Sequence, residues 1–286
     1  MKESAISPFD KYLKPVVDLI ITLFLWSYFT LGFILFFSPL YLASYLFSKN
    51  RERSFQRLNH HFYKGFFYLL RHSVPGCKWL IDDEVRLIRS SVIICNHISY
   101  LDPLLMISIF ENHKTIVKAR FFKMPIFRQV LELSGYVPSI SGGKLTDLII
   151  ERIEEMEDYL ASGGNLFVFP EGTRSRNGSI GRLNKGAFKI ARLCKKSIKV
   201  LYICNTDKLF QPGKFLFNSA ASGTVTVKQL TTIEPGDHGD TFSISEAMSQ
   251  VRAILEAKRA KPNTVTDARP LCLETTCHDE RASEDL

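Results

Sequence analysis

Charge is the first thing this chain of 286 residues lacks: between Leu19 and Ser48, 30 consecutive positions hold no Asp, Glu, Lys or Arg. Such a run is too long for the roughly 7 to 15 apolar residues of a cleaved signal peptide, and no small-residue cleavage pattern follows it. A helix of that length rises about 45 Å at about 1.5 Å per residue, against a hydrocarbon core of about 30 Å. One perpendicular helix is therefore too long. Ser38-Pro39 supplies a break, because proline cannot donate to the preceding turn and readily opens a new helix. The expectation is a first helix to about Phe37 and a second from Pro39, arranged as one span with an interfacial continuation or as a re-entrant hairpin.

Other absences narrow the function. The six cysteines, at 77, 95, 194, 204, 272 and 277, form no CxxC pair and keep no regular spacing. Reduced thiols in a reducing compartment fit this usage, and a disulfide framework does not. His60-His61 with a distant Cys77 is a poor zinc set, so no metal and no other cofactor is expected. Ser141-Gly142-Gly143-Lys144 has Pro138 where a phosphate loop needs glycine and Leu145 where it needs Ser or Thr, which discounts a nucleotide-binding protein. Neither a helix-turn-helix signature nor an aromatic-basic surface is present, so no nucleic-acid partner is expected. There is no internal repeat.

What is present is basic. Lys plus Arg outnumber Asp plus Glu by 37 to 29, and the last 26 residues hold three basic and six acidic residues, which leaves the first 260 with an excess of eleven positive charges. A basic body suits anionic partners such as membrane phospholipid. Lys49, Arg51, Arg53, Arg57 and Lys64 follow the apolar run, whereas Lys2, Lys11 and Lys14 before it are offset by Glu3, Asp10 and Asp18. By the positive-inside rule the body lies on the cytoplasmic face of a membrane, the inner membrane in a bacterium. Phe55, Leu58, Phe62, Phe66, Leu69 and Leu70 then recur at helical spacing. That helix either lies on an anionic membrane surface or packs on the domain; the pattern suits both.

Past Val74 short β-rich runs alternate with helical stretches. Strands are expected at 78–81, 91–95, 115–117, 166–169, 198–204 and 224–230, and helices at 103–110, 127–133, 145–160, 185–193 and 243–257. The helix at 145–160 carries Leu148, Ile149, Ile153, Met156 and Leu160 inward and stops at Gly163-Gly164. Alternation of this kind implies an α/β fold with a mostly parallel sheet flanked by helices. Three regions result: membrane anchor and interfacial helices at 1–72, a globular domain at 73–260, and a polar, disordered tail at 261–286.

Two strand ends carry chemistry. Cys95-Asn96-His97-Ile98-Ser99-Tyr100-Leu101-Asp102-Pro103 follows the apolar Val92-Ile93-Ile94 and precedes a helix, so its side chains project from the carboxyl edge of a sheet. An imidazole becomes a useful base when a carboxylate holds its other nitrogen, and five residues across a turn can bring His97 and Asp102 together. Asp102 before proline also reads as a helix N-cap worth roughly 1 kcal/mol, with no catalytic role. Gly164-Asn165-Leu166-Phe167-Val168-Phe169-Pro170-Glu171-Gly172-Thr173-Arg174-Ser175 ends another apolar strand in a turn displaying a carboxylate, a hydroxyl and a guanidinium. Arg174 suits bidentate phosphate binding, Gly172 allows close backbone approach, and Arg176, Arg182 and Lys185 thicken the positive potential. By itself this stretch also reads as a solvated basic loop. Asn177-Gly178-Ser179 is a glycosylation sequon only by chance if the body is cytoplasmic.

In this order, about 70 residues apart and behind an apolar segment, Asn-His-x-Ser-x-x-Asp and Phe-Pro-Glu-Gly-Thr-Arg-Ser resemble motifs one and three of the lysophospholipid acyltransferases, best known as 1-acylglycerol-3-phosphate acyltransferases. The resemblance covers roughly residues 79–230, and the N-terminal helices are similar to the membrane-embedding helices of bacterial members. It implies that His97, oriented by Asp102, takes the proton of a lysophospholipid hydroxyl as that oxygen attacks the thioester of acyl-CoA or acyl-carrier protein. Glu171, Gly172, Thr173 and Arg174 are implied to hold the acceptor phosphate. No covalent enzyme intermediate is needed, so the absence of a GxSxG elbow is expected. The second motif departs from the family: in Val117-Lys118-Ala119-Arg120-Phe121-Phe122-Lys123-Met124-Pro125-Ile126-Phe127, Lys118 is kept, but Arg120 replaces an acid and Arg128 a glycine. Ile140 and Ser141 stand where an arginine usually binds glycerol phosphate, and Lys144 is the candidate to replace its charge. Val200-Leu201-Tyr202-Ile203 lacks the proline usual in motif four. The implied acceptor is 1-acylglycerol-3-phosphate; another lysolipid, such as a lyso-aminolipid, and a non-catalytic lipid-binding protein of the same fold are the alternatives.

Overall fold

Backbone polarity and the apolar pattern place a seven-stranded sheet at the centre of the chain. The computed structural model describes residues 8–139, 145–174, 180–235 and 242–260. In chain order the elements are α1 (Pro8–Ser27), a π-helical segment (Tyr28–Phe37), α2 (Ser38–Phe47), α3 (Arg51–Ser73), β1 (Cys77–Ile81), α4 (Asp83–Leu87), β2 (Val92–Cys95) and α5 (Leu101–Ile109). Then follow β3 (His113–Val117), a 3-10 turn (Ala119–Lys123), α6 (Pro125–Leu133), β4 (Val137–Pro138), α7 (Thr146–Glu154) and α8 (Met156–Ala161). The chain continues through β5 (Asn165–Val168), α9 (Gly186–Leu193), β6 (Ile198–Cys204), α10 (Thr206–Leu209), β7 (Gly223–Ile233) and α11 (Ile244–Ala260).

The strand order is β1-β7-β6-β2-β5-β3-β4, and every pairing is parallel except β6 with β7. Successive side chains of a strand point to opposite faces, so one strand feeds two cores. Ile93 and Cys95 enter a core with Phe66, Leu70, Leu105 and Met106, whereas Val92 and Ile94 enter a second with Met156, Phe188 and Val251. Helices α3 and α5 thus cover one face, and α8, α9 and α11 the other. The expected helix at 145–160 is split at Glu155 (φ −74°, ψ −10°) into α7 and α8. Leu148 packs on the first core and Met156, Tyr159 and Leu160 in the second, two directions a straight helix cannot serve. Four elements were not expected: α4, the 3-10 turn, the two-residue β4 and α10 are too short to carry a hydrophobic period.

The chain does not reverse at Ser38-Pro39. Ser38 keeps right-handed helical angles and donates its N–H to Phe33 O, five residues back. The π-helical run shifts the hydrogen-bond register ahead of the proline, which itself has no N–H, so the helix continues to Phe47 without a break. Tyr12–Phe47 is one 36-residue path, long and apolar enough to cross a membrane. One side docks on the domain: Asp18 accepts Ser219 N–H at 2.7 Å, Thr22 accepts Phe217 N–H at 2.9 Å, and Trp26 stacks on Phe215. The other side bears Ile20, Leu23, Phe24, Ile34, Leu35, Phe36 and Phe47, all exposed. The apolar face of α3 is taken up by packing, since Phe55, Phe62, Phe66 and Leu70 are buried among the N-terminal helices and the sheet-facing core.

Beneath β3 a buried polar chain joins α3 to the sheet. His113 donates from Nδ1 to Phe110 O, its Nε2 faces the Tyr136 hydroxyl, and Tyr136 in turn accepts from Asn59 Nδ2 at 3.2 Å. Tyr41 donates to Asn59 Oδ1 and so ties α2 into the same chain. Burial pushes the pKa of His113 down from 6.5 to about 3. Between those values the unfolded chain holds a proton that the folded one does not, so this residue makes stability rise with pH across the window. Wild-type protein should lose about 1 kcal/mol per pH unit from this residue as pH falls below about 6.5. His113→Gln should show a flatter decline in denaturation midpoint between pH 7 and pH 5; an unchanged slope removes His113 as its cause.

Candidate active site

Parallel neighbours bring the two motifs level. Ile94 pairs with Val168, so His97 and Glu171, each three residues beyond its paired position, emerge side by side at the carboxyl edge. Helix α5 leaves β2 over one face and α9 follows β5 over the other, which opens a crevice where the connections part. Asn96 latches the first loop to β6, donating to Ile203 O at 2.9 Å and accepting Ile203 N–H at 2.7 Å.

Asp102 is fully buried and accepts four donors. Its Oδ2 receives His97 Nδ1–H at 2.9 Å and the N–H groups of Ile98 and Ser99 at 2.7 Å each, while Oδ1 receives the Thr206 hydroxyl. The N-cap reading of Asp102 therefore fails: α5 begins at Leu101, and the carboxylate binds N–H groups upstream of the helix, not those of its first turn. Ser99 does the capping, its carbonyl accepting Asp102 N–H and its hydroxyl accepting Leu101 N–H at 3.3 Å. With Nδ1 donating to Asp102, the lone pair of His97 sits on Nε2. The ring packs at 4.5 Å from that of Phe169, and the side chain is 16% exposed.

Glu171 is buried, and both its oxygens are occupied: Oε1 accepts His97 N–H at 3.1 Å and Oε2 accepts Gly181 N–H at 3.0 Å. The carboxylate thus joins the first motif to the loop beyond the third, and its sign does not suit contact with phosphate. Gly172 adopts φ +64° and gives its N–H to Phe169 O, closing the turn; a Cβ there would lie 3.2 Å from Asn184 Nδ2, which braces Pro170 O. Thr173 is exposed.

Arg174 lies over Tyr100, its Cζ 3.3 Å from the ring centroid. Among the described residues its Nη1 has no hydrogen-bond partner. Both residues line a cleft of about 700 Å³ with Asp207, Lys208 and Gln211. Burial, reinforced by the charge of Asp102, pushes the Asp207 carboxyl above its ordinary value. Lys118 is exposed at the carboxyl end of β3, on the same sheet edge. Lys185 lies apart, exposed at the start of α9 and lining a second cleft of about 430 Å³ with Arg182 and Arg252. Lys144, Arg176, the sequon at 177–179 and the tail at 261–286 lie outside the described residues. Among the described residues no three His, Cys, Asp or Glu side chains cluster as metal ligands would.

Four contributors escaped the motif reading. Thr206 and Lys208 come from the segment after β6, and no local signal marks a residue 104 positions from its partner. Tyr100 and Phe169 lie within the motifs, and only their ring contacts reveal a role.

A model of the family described as Acyltransferase matches residues 81–204, from the last residue of β1 to the last of β6. The chloroplastic 1-acyl-sn-glycerol-3-phosphate acyltransferase of Arabidopsis thaliana is 29% identical over 123 residues, 43% of this chain and 34% of that protein. The enzyme of the same name from Borreliella burgdorferi is 29% identical over 147 residues, 51% of this chain and 58% of that one. The chain thus spans between about a third and three fifths of the length of these relatives. The crystal structure of the 1-acyl-sn-glycerophosphate acyltransferase PlsC from Thermotoga maritima superposes with a TM-score of 0.64, covering 87% of this chain and 98% of that one at 21% identity, and shares its fold. Both motifs lie on adjacent strand ends within residues 81–204, the part of the chain that matches the Acyltransferase family and is similar to 1-acyl-sn-glycerol-3-phosphate acyltransferases.

Proposed function

We propose that the protein transfers a fatty acyl group from acyl-CoA or acyl-carrier protein to the free hydroxyl of 1-acylglycerol-3-phosphate, giving phosphatidic acid. One observation carries the reading: His97 Nδ1 is held 2.9 Å from a buried carboxylate that Thr206 and two backbone N–H groups also bind, beside a cleft lined by the Arg174 guanidinium. Nε2 of His97 accepts the proton of the acceptor hydroxyl as its oxygen attacks the thioester carbonyl. Asp102 stabilises the imidazolium so formed. The tetrahedral intermediate then expels the thiolate, which takes the proton back from Nε2. Glu171 acts through the His97 backbone as a positioning residue. Arg174, in contact with the Tyr100 ring and lining the cleft, supplies the charge that holds the acceptor phosphate, with Lys208 as a second cation in the cleft and Lys118 on the same sheet edge.

The apolar path of 36 residues supplies the membrane anchor, with the catalytic domain on the cytoplasmic face where the basic flank lies. Asp207 in the same cleft favours a second reading, an acceptor whose head group carries an amine as well as a phosphate. Purified membranes given labelled acyl-CoA or acyl-carrier protein and a panel of lysolipids distinguish the two.

His97→Ala should lower kcat by about 100- to 10,000-fold while leaving the circular dichroism spectrum unchanged. Retained turnover eliminates the base. Arg174→Ala should raise KM for a phosphomonoester acceptor by about 10- to 100-fold, as expected for losing a charge-assisted contact, and change little for acceptors without that phosphate. An equal effect on every acceptor removes Arg174 from head-group recognition.

A further inference from the structure

The departures in the second motif leave a segment that the proposed reaction does not use. Residues 123–129 are exposed without interruption, just beyond the carboxyl end of β3. Met124 is 51%, Ile126 71% and Phe127 39% exposed. The rings of Phe121 and Phe127 lie 6.0 Å apart, and the Arg120 guanidinium sits 5.0 Å over the Phe121 ring. The result is one apolar patch rimmed by Arg120, Lys123 and Arg128. The acid of α6, Glu132, is tied to Arg128 at 2.7 Å, so it does not reverse the sign of the rim.

A contiguous apolar patch held in water marks an interaction surface, and its rim names the partner. We infer that residues 120–128 form a second membrane contact, with Met124, Ile126 and Phe127 entering an anionic lipid surface and Arg120, Lys123 and Arg128 engaging its head groups. Bulky apolar side chains beside cations, here spread over the 3-10 turn and the start of α6, are the composition of an interfacial segment. Both basic departures, at Arg120 and Arg128, fall on this rim. Helix α6 packs on α3, and so do the π-helical segment and α2, so one scaffold holds the patch and the exposed apolar path together. The carboxyl end of β3 lies on the same sheet edge as His97, so a bilayer met here faces the site. Membrane contact stands on these observations alone; delivery of a lipid acceptor through it rests on the proposed reaction.

Two measurements on the full chain test this with vesicles of phosphatidylglycerol and phosphatidylcholine. Tryptophan fluorescence of Ile126→Trp should be quenched by brominated acyl chains beyond the wild-type background, and that of Leu193→Trp, exposed at the far end of α9, should not. Ile126→Ser combined with Phe127→Ser should lose about tenfold in turnover of vesicle-embedded lysolipid while keeping turnover of a short-chain lysolipid dissolved as monomers. An unquenched tryptophan, or equal loss on both substrates, overturns the inference. So does a loss seen with acyl-carrier protein and not with acyl-CoA, which makes the patch a dock for an acidic carrier protein. A wild-type protein that transfers no acyl group refutes the proposed reaction instead, and the quenching then decides the membrane contact by itself.

Discussion

Everything at the carboxyl edge depends on meeting the lone pairs of the Asp102 carboxylate out of water. A buried carboxylate is costly unless its lone pairs are met, and here four donors meet them from three directions. Two are backbone groups of the loop that carries His97, one is the imidazole, and one is a hydroxyl from the start of α10. Moving any of these elements leaves the charge uncompensated. The loop, the start of α5 and α10 are thereby locked to one another, and the ring they hold is already set for proton transfer.

Glu171 extends the same logic. A carboxylate placed among basic residues would ordinarily pair with one of them, yet this one spends both oxygens on backbone N–H groups of two different loops. The negative charge is thus held by backbone amides, and the charged side chains lining the cleft are Arg174 and Lys208 with Asp207. Tyr100 adds a flat support that orients the Arg174 guanidinium without neutralising it, because the attraction is to the ring face and not to a counter-charge.

The N-terminal path carries a comparable division of labour along one helix. Asp18, Thr22 and Trp26 bind the segment at 215–219, and Tyr41 reaches Asn59, so the inward side is specific. The outward side is mostly apolar, with Leu23, Phe24, Ile34, Leu35, Phe36 and Phe47 exposed and only Ser27, Thr30 and Ser38 as polar side chains among the exposed residues of 19–47 other than Tyr45. The π-helical turns let this helix pass Pro39 with its two sides kept distinct.

Fold class and the principal motifs were legible from local pattern. Strand 198–204 coincides with β6, and the others differ by a few residues at their ends, because short apolar runs between turn residues have few other ways to bury themselves. The spacing of His97 and Asp102 allowed their pairing but left an N-cap role for Asp102 open, because both follow from local sequence alone. What the amino-acid order could not contain is the identity of partners brought in by pairing of distant strands. Only the tertiary structure placed Thr206 beside Asp102, set both Glu171 oxygens on backbone amides, and put Lys185 and Arg174 in the walls of different clefts. Those outcomes follow from strand order and register, which depend on contacts across the whole sheet and leave no trace in any single stretch of sequence.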